Sequence, residues 1–485
     1  MNPQKDWRIL FIAVFLFLLI PVALVEYLPM VDLPGHLARV HILNNYERVA
    51  KFQEVYQPSR ELLPNLALDL FLLPLVKIMP VETAARVFVA TGMMIFALGC
   101  WTISIAVHGR ITPFAALALF TQYNSMFFYG FIAFQMGVAV SLVALGLWYM
   151  WRKHWTVVRV SLLIALAFLA CLCHLGGYMY LGFAIGWLTL LQWIREKRIE
   201  PASLIGFIPL VPPLLILFAW SKGPGGTALF VFSTLSQKLQ HATVLLISFS
   251  LYVDIAVALL LAVAILSAWA LGKYRFQFEL ASLAAVFAVA FVVFPWWLLT
   301  GSDADTRMML GAGVFLLLAL NCEIGQTAGK LIYSLALTAL MLRIAFCGWV
   351  WMRQSDFIAG HVAFLNAIPE GARVYPIALF PEQREANKFE RVLLHVPDLA
   401  AVSRQAIVPT VFTVKRQHSL IEKTPIWYST SFDHAHPETF DWNRVAREYD
   451  VIWQYGKDPP LRDFFNSRFY LIGQHGEARL YLTRP

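Results

Sequence analysis

Residues 9–28 read ILFIAVFLFLLIPVALVEYL, and residues 31–39 read VDLPGHLAR. A membrane-spanning helix needs ~20 mostly apolar residues, and 9–28 supplies them behind a short basic start, Lys5 and Arg8. The run is too long for a typical signal-peptide core, and no small-residue cleavage site follows it, so it is expected to stay as a first span. Four ionisable side chains, Asp32, His36, Arg39 and His41, come directly after it. Pro34 favours a helix start here, with Asp32 near the N-cap. Asp32 and His36 are four apart and would share a helix face. Asp32 reads in two ways. It is a helix cap, or it is a carboxylate beside a histidine that acts as general base or holds a metal.

The rest of the chain has the same character. Of 485 residues, 59% are hydrophobic and 14% charged, against ~25% charged in soluble domains. Mean hydropathy is +0.63. A wholly soluble protein is excluded, and an aromatic share of 14% excludes disorder. Further apolar runs lie at 84–107, 112–124, 131–151, 160–174, 177–194, 201–220, 250–271, 280–299, 308–322 and 331–352. The run 62–79 is broken by Pro64, Pro74 and Pro80 and carries Asp69 and Lys77. Proline removes a backbone donor and kinks a helix, so 62–79 is expected to be interfacial or re-entrant within a long outer loop, 29–83.

Charge tests that choice. The net +8 lies wholly in residues 1–354, with 23 basic and 15 acidic side chains; residues 355–485 hold 15 of each. With eleven spans and a cytoplasmic N-terminus, the inner loops hold Lys5, Arg8, Arg110, Arg152, Lys153, Arg159, Arg195, Lys197, Arg198, Lys273, Arg275 and Lys330. The short outer loops hold Lys222, Lys238 and Arg307. A twelfth span at 62–79 would turn this bias outward, against the positive-inside rule. The excess charge is thus a topology signal and not a nucleic-acid patch. The expected layout is a membrane domain, 1–353, and a small extracytoplasmic α/β or α+β domain, 354–485. The latter has strands near 373–378, 406–414, 451–455, 469–472 and 478–483, and helices near 442–448 and 461–467.

The five cysteines lie in or beside apolar runs, which argues against a disulfide framework. Polar residues gather instead at the outer edge. Asp303 and Asp305 form an Asp-x-Asp pair able to ligate a divalent cation such as Mg or Mn, or simply cap a turn. Arg307 can grip a phosphate with its planar fork. Asn124 and Tyr129 can hydrogen-bond a sugar, or belong to the interfacial aromatic belt. His174 ends one span, and Lys222 sits in the glycine-rich loop 221–226. Arg343 lies inside the last span with no evident partner. Asp433-His434-Ala435-His436 is a weak metal pattern. There is no Walker loop, Rossmann fingerprint, HExxH or GxSxG, so nucleotide-driven transport is not expected.

A first span that delivers an acid into a long outer loop, an amphipathic non-spanning helix, many further spans and a small C-terminal domain resemble the GT-C class of integral-membrane glycosyltransferases. That class includes the protein O-mannosyltransferases and the lipid A aminoarabinose transferases. The stretch Tyr123-Asn124-Ser125-Met126-Phe127-Phe128-Tyr129-Gly130-Phe131 looks like the second outer loop of such proteins. The resemblance covers roughly residues 1–352 and is architectural more than motif-level. It implies transfer of a sugar from a polyprenyl-phosphate carrier to a lipid, glycan or protein acceptor outside the bacterial inner membrane. Asp32, assisted by His36, takes the place of the first-loop acid. Arg39, Asn124, Tyr129, His174, Lys222 and Arg307 are then candidates for substrate contact. Two positions depart from the pattern: Leu33 stands where a second adjacent acid is usual, and Asn124 where the second loop usually carries an acid. The competing expectations are a transporter or flippase, and a non-catalytic subunit of envelope-polysaccharide assembly.

Overall fold

The computed structural model describes residues 3–221, 229–270, 274–299, 301–322, 327–381, 388–433 and 436–483. The protein is mostly helical. Among the described residues, five helices are long and apolar enough to cross a membrane: Trp7–Leu24, Val81–His108, Ile132–Trp151, Pro201–Phe218 and Gly329–Leu365. Shorter apolar helices are Val157–Cys173, Leu251–Ser267 and Phe278–Val293. Leu66–Leu75 has ten residues. At ~1.5 Å per residue it reaches ~15 Å, half of a bilayer core.

One expected span is broken. Residues 112–124 fold as a helix Pro113–Ala118, a tight turn Leu119–Gln122, and then a new helix Ser125–Tyr129. The Asn124 side chain starts that second helix by accepting from Phe127 N at 3.1 Å, so the backbone cannot continue as one rod. The segment still advances along the first helix. Its Pro113 end meets Tyr333, whose ring packs on Trp7, and its Tyr123 hydroxyl donates to Leu18 O at 2.6 Å. Trp7 to Leu18 is ~16 Å of helix.

The chain forms two units. The first is Met1–Ala23 with Val89–Gly348, the second Leu24–Phe88 with Trp349–Pro485. This differs from the expected 1–353 and 354–485 in two ways. The last apolar run does not stop near 352; the helix Thr327–Leu365 runs through Arg353, Gln354, Ser355 and Asp356, because none of these breaks a helix. The loop after the first helix also belongs with the C-terminal chain. Tyr56–Pro58 pairs antiparallel with Leu420–Glu422, and the helix Leu33–Asn45 packs on the turn Val396–Leu399 and the helix Ala400–Arg404.

In the first unit, helices Ile132–Trp151 and Leu175–Glu196 cross at Gly137 and Gly177. A Cβ on Gly177 would lie 2.5 Å from the Gly137 backbone, so only glycine allows this approach. Arg343 is buried and satisfied by backbone alone: Tyr123 O at 2.9 Å, Leu246 O at 3.2 Å and Ile247 O at 3.2 Å. Glu279 gathers Arg152 at 3.1 Å, Arg195 at 2.9 Å and the Tyr149 hydroxyl at 2.6 Å. These tie the ends of Ile132–Trp151 and Leu175–Glu196 to the start of Phe278–Val293. His174, at the start of Leu175–Glu196, meets Arg307 of the helix Ala304–Ala319.

The second unit contains a four-stranded sheet ordered Val374–Ala378, Val451–Tyr455, Ala478–Leu482, Tyr470–His475. The first pair is parallel and the others antiparallel. The helices Trp442–Glu448 and Pro459–Arg468 pack over it, through Tyr375, Trp442, Ile452, Phe465 and Tyr481. The expected strand at 406–414 is absent. It makes only an isolated bridge, Arg373 to Ile407, since Pro409 has no N–H to give a ladder and Thr410 turns its hydroxyl to Asp398.

Candidate functional site

The second unit builds its site around the start of the Leu33–Asn45 helix, where proline occupies the opening turn. Asp32 stands at the N-cap with φ −86° and ψ −13° and makes no side-chain capping bond. The cap reading of Asp32 therefore gives way. Its carboxylate remains 24% exposed, with Oδ1 4.0 Å from His395 Nε2. His395 in turn donates from Nδ1 to Asp398 Oδ2 at 2.9 Å, and Thr410 Oγ1 donates to Asp398 Oδ1. Asp398 is fully buried. Burial alone pulls an imidazole pKa down; here the hydrogen bond and charge of Asp398, with the charge of Asp32, outweigh it and hold His395 above its usual range.

His36 does not take the assisting place expected of it. Its ring packs on Phe412 at 4.7 Å between centroids, and its Nδ1 is buried without a hydrogen-bond partner. Burial, then Arg39, His418 and His395, push it well below the ordinary histidine range. His418 is lowered by burial and then by Arg39, and burial brings His41 down to about 4. Of the histidines on or against this helix, His395 is the one whose surroundings favour its protonated form. Phe412 sits amid His36, His395 and His418, with centroids 4.7, 5.0 and 5.6 Å away, so the imidazoles do not converge on a common point.

Arg39 is likewise not an open substrate contact. Its Nη2 lies 2.8 Å from Asp69 Oδ1, and the two side chains are 1% and 2% exposed. Ser419 Oγ donates to the other Asp69 oxygen. This buried pair joins the Leu33–Asn45 and Leu66–Leu75 helices to the C-terminal chain.

The first unit holds the remaining candidates. Arg307 Nη1 lies 2.8 Å from His174 Nε2, and its guanidinium sits over Phe131 and Phe134 at 5.1 and 5.2 Å. His174 Nδ1 accepts from Gly176 N at 2.8 Å and caps the next helix. A neutral ring that accepts at Nδ1 carries its proton on Nε2. Two donors then face one another at 2.8 Å, too close for a third atom to lie between them. Asp305 is fully buried and paired with Lys238 Nζ at 2.7 Å; Ser233 Oγ and His241 Nδ1 lie at 3.2 and 3.3 Å. Lys238 also donates to Phe291 O and Phe294 O, at 2.8 and 2.7 Å. Asp303 accepts from Ser302 Oγ and Trp296 Nε1. An ammonium thus stands where the expected divalent cation would have to sit, and this donor set does not fit one. Among the described residues, no group of three or more His, Cys, Asp or Glu side chains is placed to hold a metal.

Asn124 is buried with both ends engaged, donating to Thr121 O and Gln122 O and accepting from Phe127 N and Gln135 Nε2. It shapes the backbone and has nothing left for a sugar. Tyr129 is half-buried at the end of the same short helix, its ring beside Phe131. Lys222 and His434 lie outside the described residues. Sequence reasoning missed His395, Asp398, Thr410 and Lys238. The spacing His395-Val396-Pro397-Asp398 was the available signal for the first pair.

No family model matches the chain, and no curated protein matches it. Solved structures do. ArnT from Cupriavidus metallidurans in the apo state aligns with a TM-score of 0.52 and 12% identity, covering 99% of this chain and 98% of that one. The same protein bound to undecaprenyl phosphate aligns with a TM-score of 0.50, 12% identity and the same coverage. At that identity the likeness is one of fold, and it extends through both units. The architectural resemblance to aminoarabinose transferases is thus a resemblance of fold.

Proposed function

We propose that the protein is a membrane glycosyltransferase that takes a sugar from a polyprenyl-phosphate carrier at the outer face of the bacterial cytoplasmic membrane. The observation that carries this is the ArnT fold, seen in one form with undecaprenyl phosphate, combined with a part-exposed Asp32 carboxylate held beside a histidine. The carrier's tail needs the bilayer and its sugar phosphate needs water. In this reading the Asp32 end of the first helix lies at that boundary. The acceptor is a lipid, glycan or protein hydroxyl.

Its oxygen attacks the anomeric carbon of the sugar. The bond from that carbon to the phosphate oxygen breaks, and the electron pair leaves with the lipid phosphate. Asp32 takes the hydroxyl proton. Arg307, beside His174, is a candidate anion contact within the first unit. No step is assigned to a metal ion, given the lysine bound to Asp305. Arg343 donates to three backbone carbonyls, which commits this buried mid-span cation to packing.

General-base help is worth ~10²–10⁴-fold. Full-length protein in liposomes, given undecaprenyl-phosphate sugars, should release undecaprenyl phosphate, and Asp32→Asn should cut that release at least ~100-fold while the thermal unfolding midpoint stays put. Release at the wild-type rate by Asp32→Asn would remove Asp32 from the chemistry. No release with any sugar donor would remove the transferase reading.

A further inference from the structure

Asp398 holds one imidazole in one orientation. An ionised carboxylate only accepts hydrogen bonds, so His395 carries a proton on Nδ1, 2.9 Å from Asp398 Oδ2, and turns Nε2 toward Asp32. The second Asp398 oxygen is held by Thr410. Close approach is built in at residue 35. A Cβ there would lie 3.1 Å from both Asp398 Oδ2 and the Phe412 ring, so glycine lets the helix that begins after Asp32 rest against the His–Asp pair.

We infer that His395, fixed by Asp398, is the positioning residue for the Asp32 carboxylate: it aims one carboxylate oxygen and keeps Asp32 ionised, while Asp32 alone takes the proton. This rests on the proposed transferase function. The groups facing His395 are Asp32 from the start of the helix, Asp398 from its own turn, and His36 from the helix face. Arg39 and His418 stand behind His36, and Arg39 is already neutralised by Asp69. Two carboxylates therefore bracket the ring, which stays above its ordinary protonation range despite burial. The 4.0 Å gap to Asp32 is of the kind that tightens when substrate arrives.

The test is a pair of pH titrations on the full chain in nanodiscs. In the first, turnover is followed across pH with an undecaprenyl-phosphate sugar. Wild type should lose activity on the acid side as Asp32 protonates, and on the alkaline side as His395 loses its charge above its usual range. His395→Gln should move the acid limb up by about one pH unit. It should lower kcat between about 10- and 100-fold, with KM for the donor unchanged. His395→Lys, which restores a cation, should bring the acid limb back. Asp398→Asn should move the alkaline limb down.

The second titration needs no turnover. The His395 ring is followed by NMR in histidine-labelled protein, and its midpoint should fall in both Asp398→Asn and Asp32→Asn. Wild-type kcat and an unmoved acid limb in His395→Gln would overturn the inference, as would a His395 midpoint indifferent to both acids. If wild type transfers no sugar, the transferase reading falls alone, and the NMR titration still decides whether His395 and Asp32 are coupled.

Discussion

Asp32 and Asp305 are both aspartates beside a histidine, one in each unit, and their surroundings give them opposite characters. Asp305 is fully buried, with an ammonium 2.7 Å away that is itself held by two backbone carbonyls. Its charge is cancelled and its geometry fixed. Asp32 keeps a quarter of its side chain open, and an imidazole held by a second acid lies 4.0 Å from it. Residue type and a neighbouring histidine do not separate a structural carboxylate from a reactive one. What separates them is whether the partner saturates the charge or leaves an oxygen within reach.

That contrast can be broken experimentally. The largest effect is expected at Lys238. Lys238→Met leaves Asp305 buried without its ammonium and should destabilise the protein by about 3–5 kcal/mol, read by thermal or denaturant unfolding in detergent. Asp32→Asn should do the reverse, leaving unfolding unchanged while removing about 3 kcal/mol of barrier lowering, the equivalent of its ~100-fold loss. If both variants fail in the same assay, the contrast is wrong.

A smaller effect is expected at Arg307. Charge-assisted hydrogen bonds contribute about 1.5–3 kcal/mol, so Arg307→Gln should weaken binding of undecaprenyl phosphate at least about tenfold, measured by tryptophan fluorescence or competition. Equal binding by the variant would reassign Arg307 to packing on Phe131 and Phe134.

The smallest effect at neutral pH is a drift in stability that grows as pH falls. His36, His41 and His418 all titrate below their unfolded value of about 6.5. An unfolded chain therefore binds protons that the folded one refuses. Stability is full above about pH 6.5 and declines as pH falls toward about 4, the His41 value. His395, raised instead, acts in the opposite sense. His41→Gln should flatten the acid decline without altering the alkaline limb of turnover.

How much of this was legible can be traced residue by residue. That the run 62–79 holds only a ten-residue helix, Leu66–Leu75, fits the three prolines in and beside it. The strands at 374–378, 451–455, 470–475 and 478–482 followed from short β-branched and aromatic runs between turn signals. Both are local properties. The reading of 406–414 as a strand failed because its composition is right but its pairing partner is missing, and pairing is not local. The limit of the last span failed for a related reason: polar side chains at 353–356 mark a change of surroundings, and a helix can pass through such a change unbroken.

The site divides along the same line. By itself the sequence determined that a lone acid follows the first apolar helix, that a proline helps to start the next helix there, and that the chain is built for a bilayer. These rest on periodicity, hydropathy and backbone restriction, which act over a few residues. Only the tertiary structure decided that His395 and not His36 attends Asp32, that Arg39 closes on Asp69, and that a lysine fills the place of a cation at Asp305. Charges find their partners through space, and burial sets the strength of each pairing. Neither separation along the chain nor residue type carries that information.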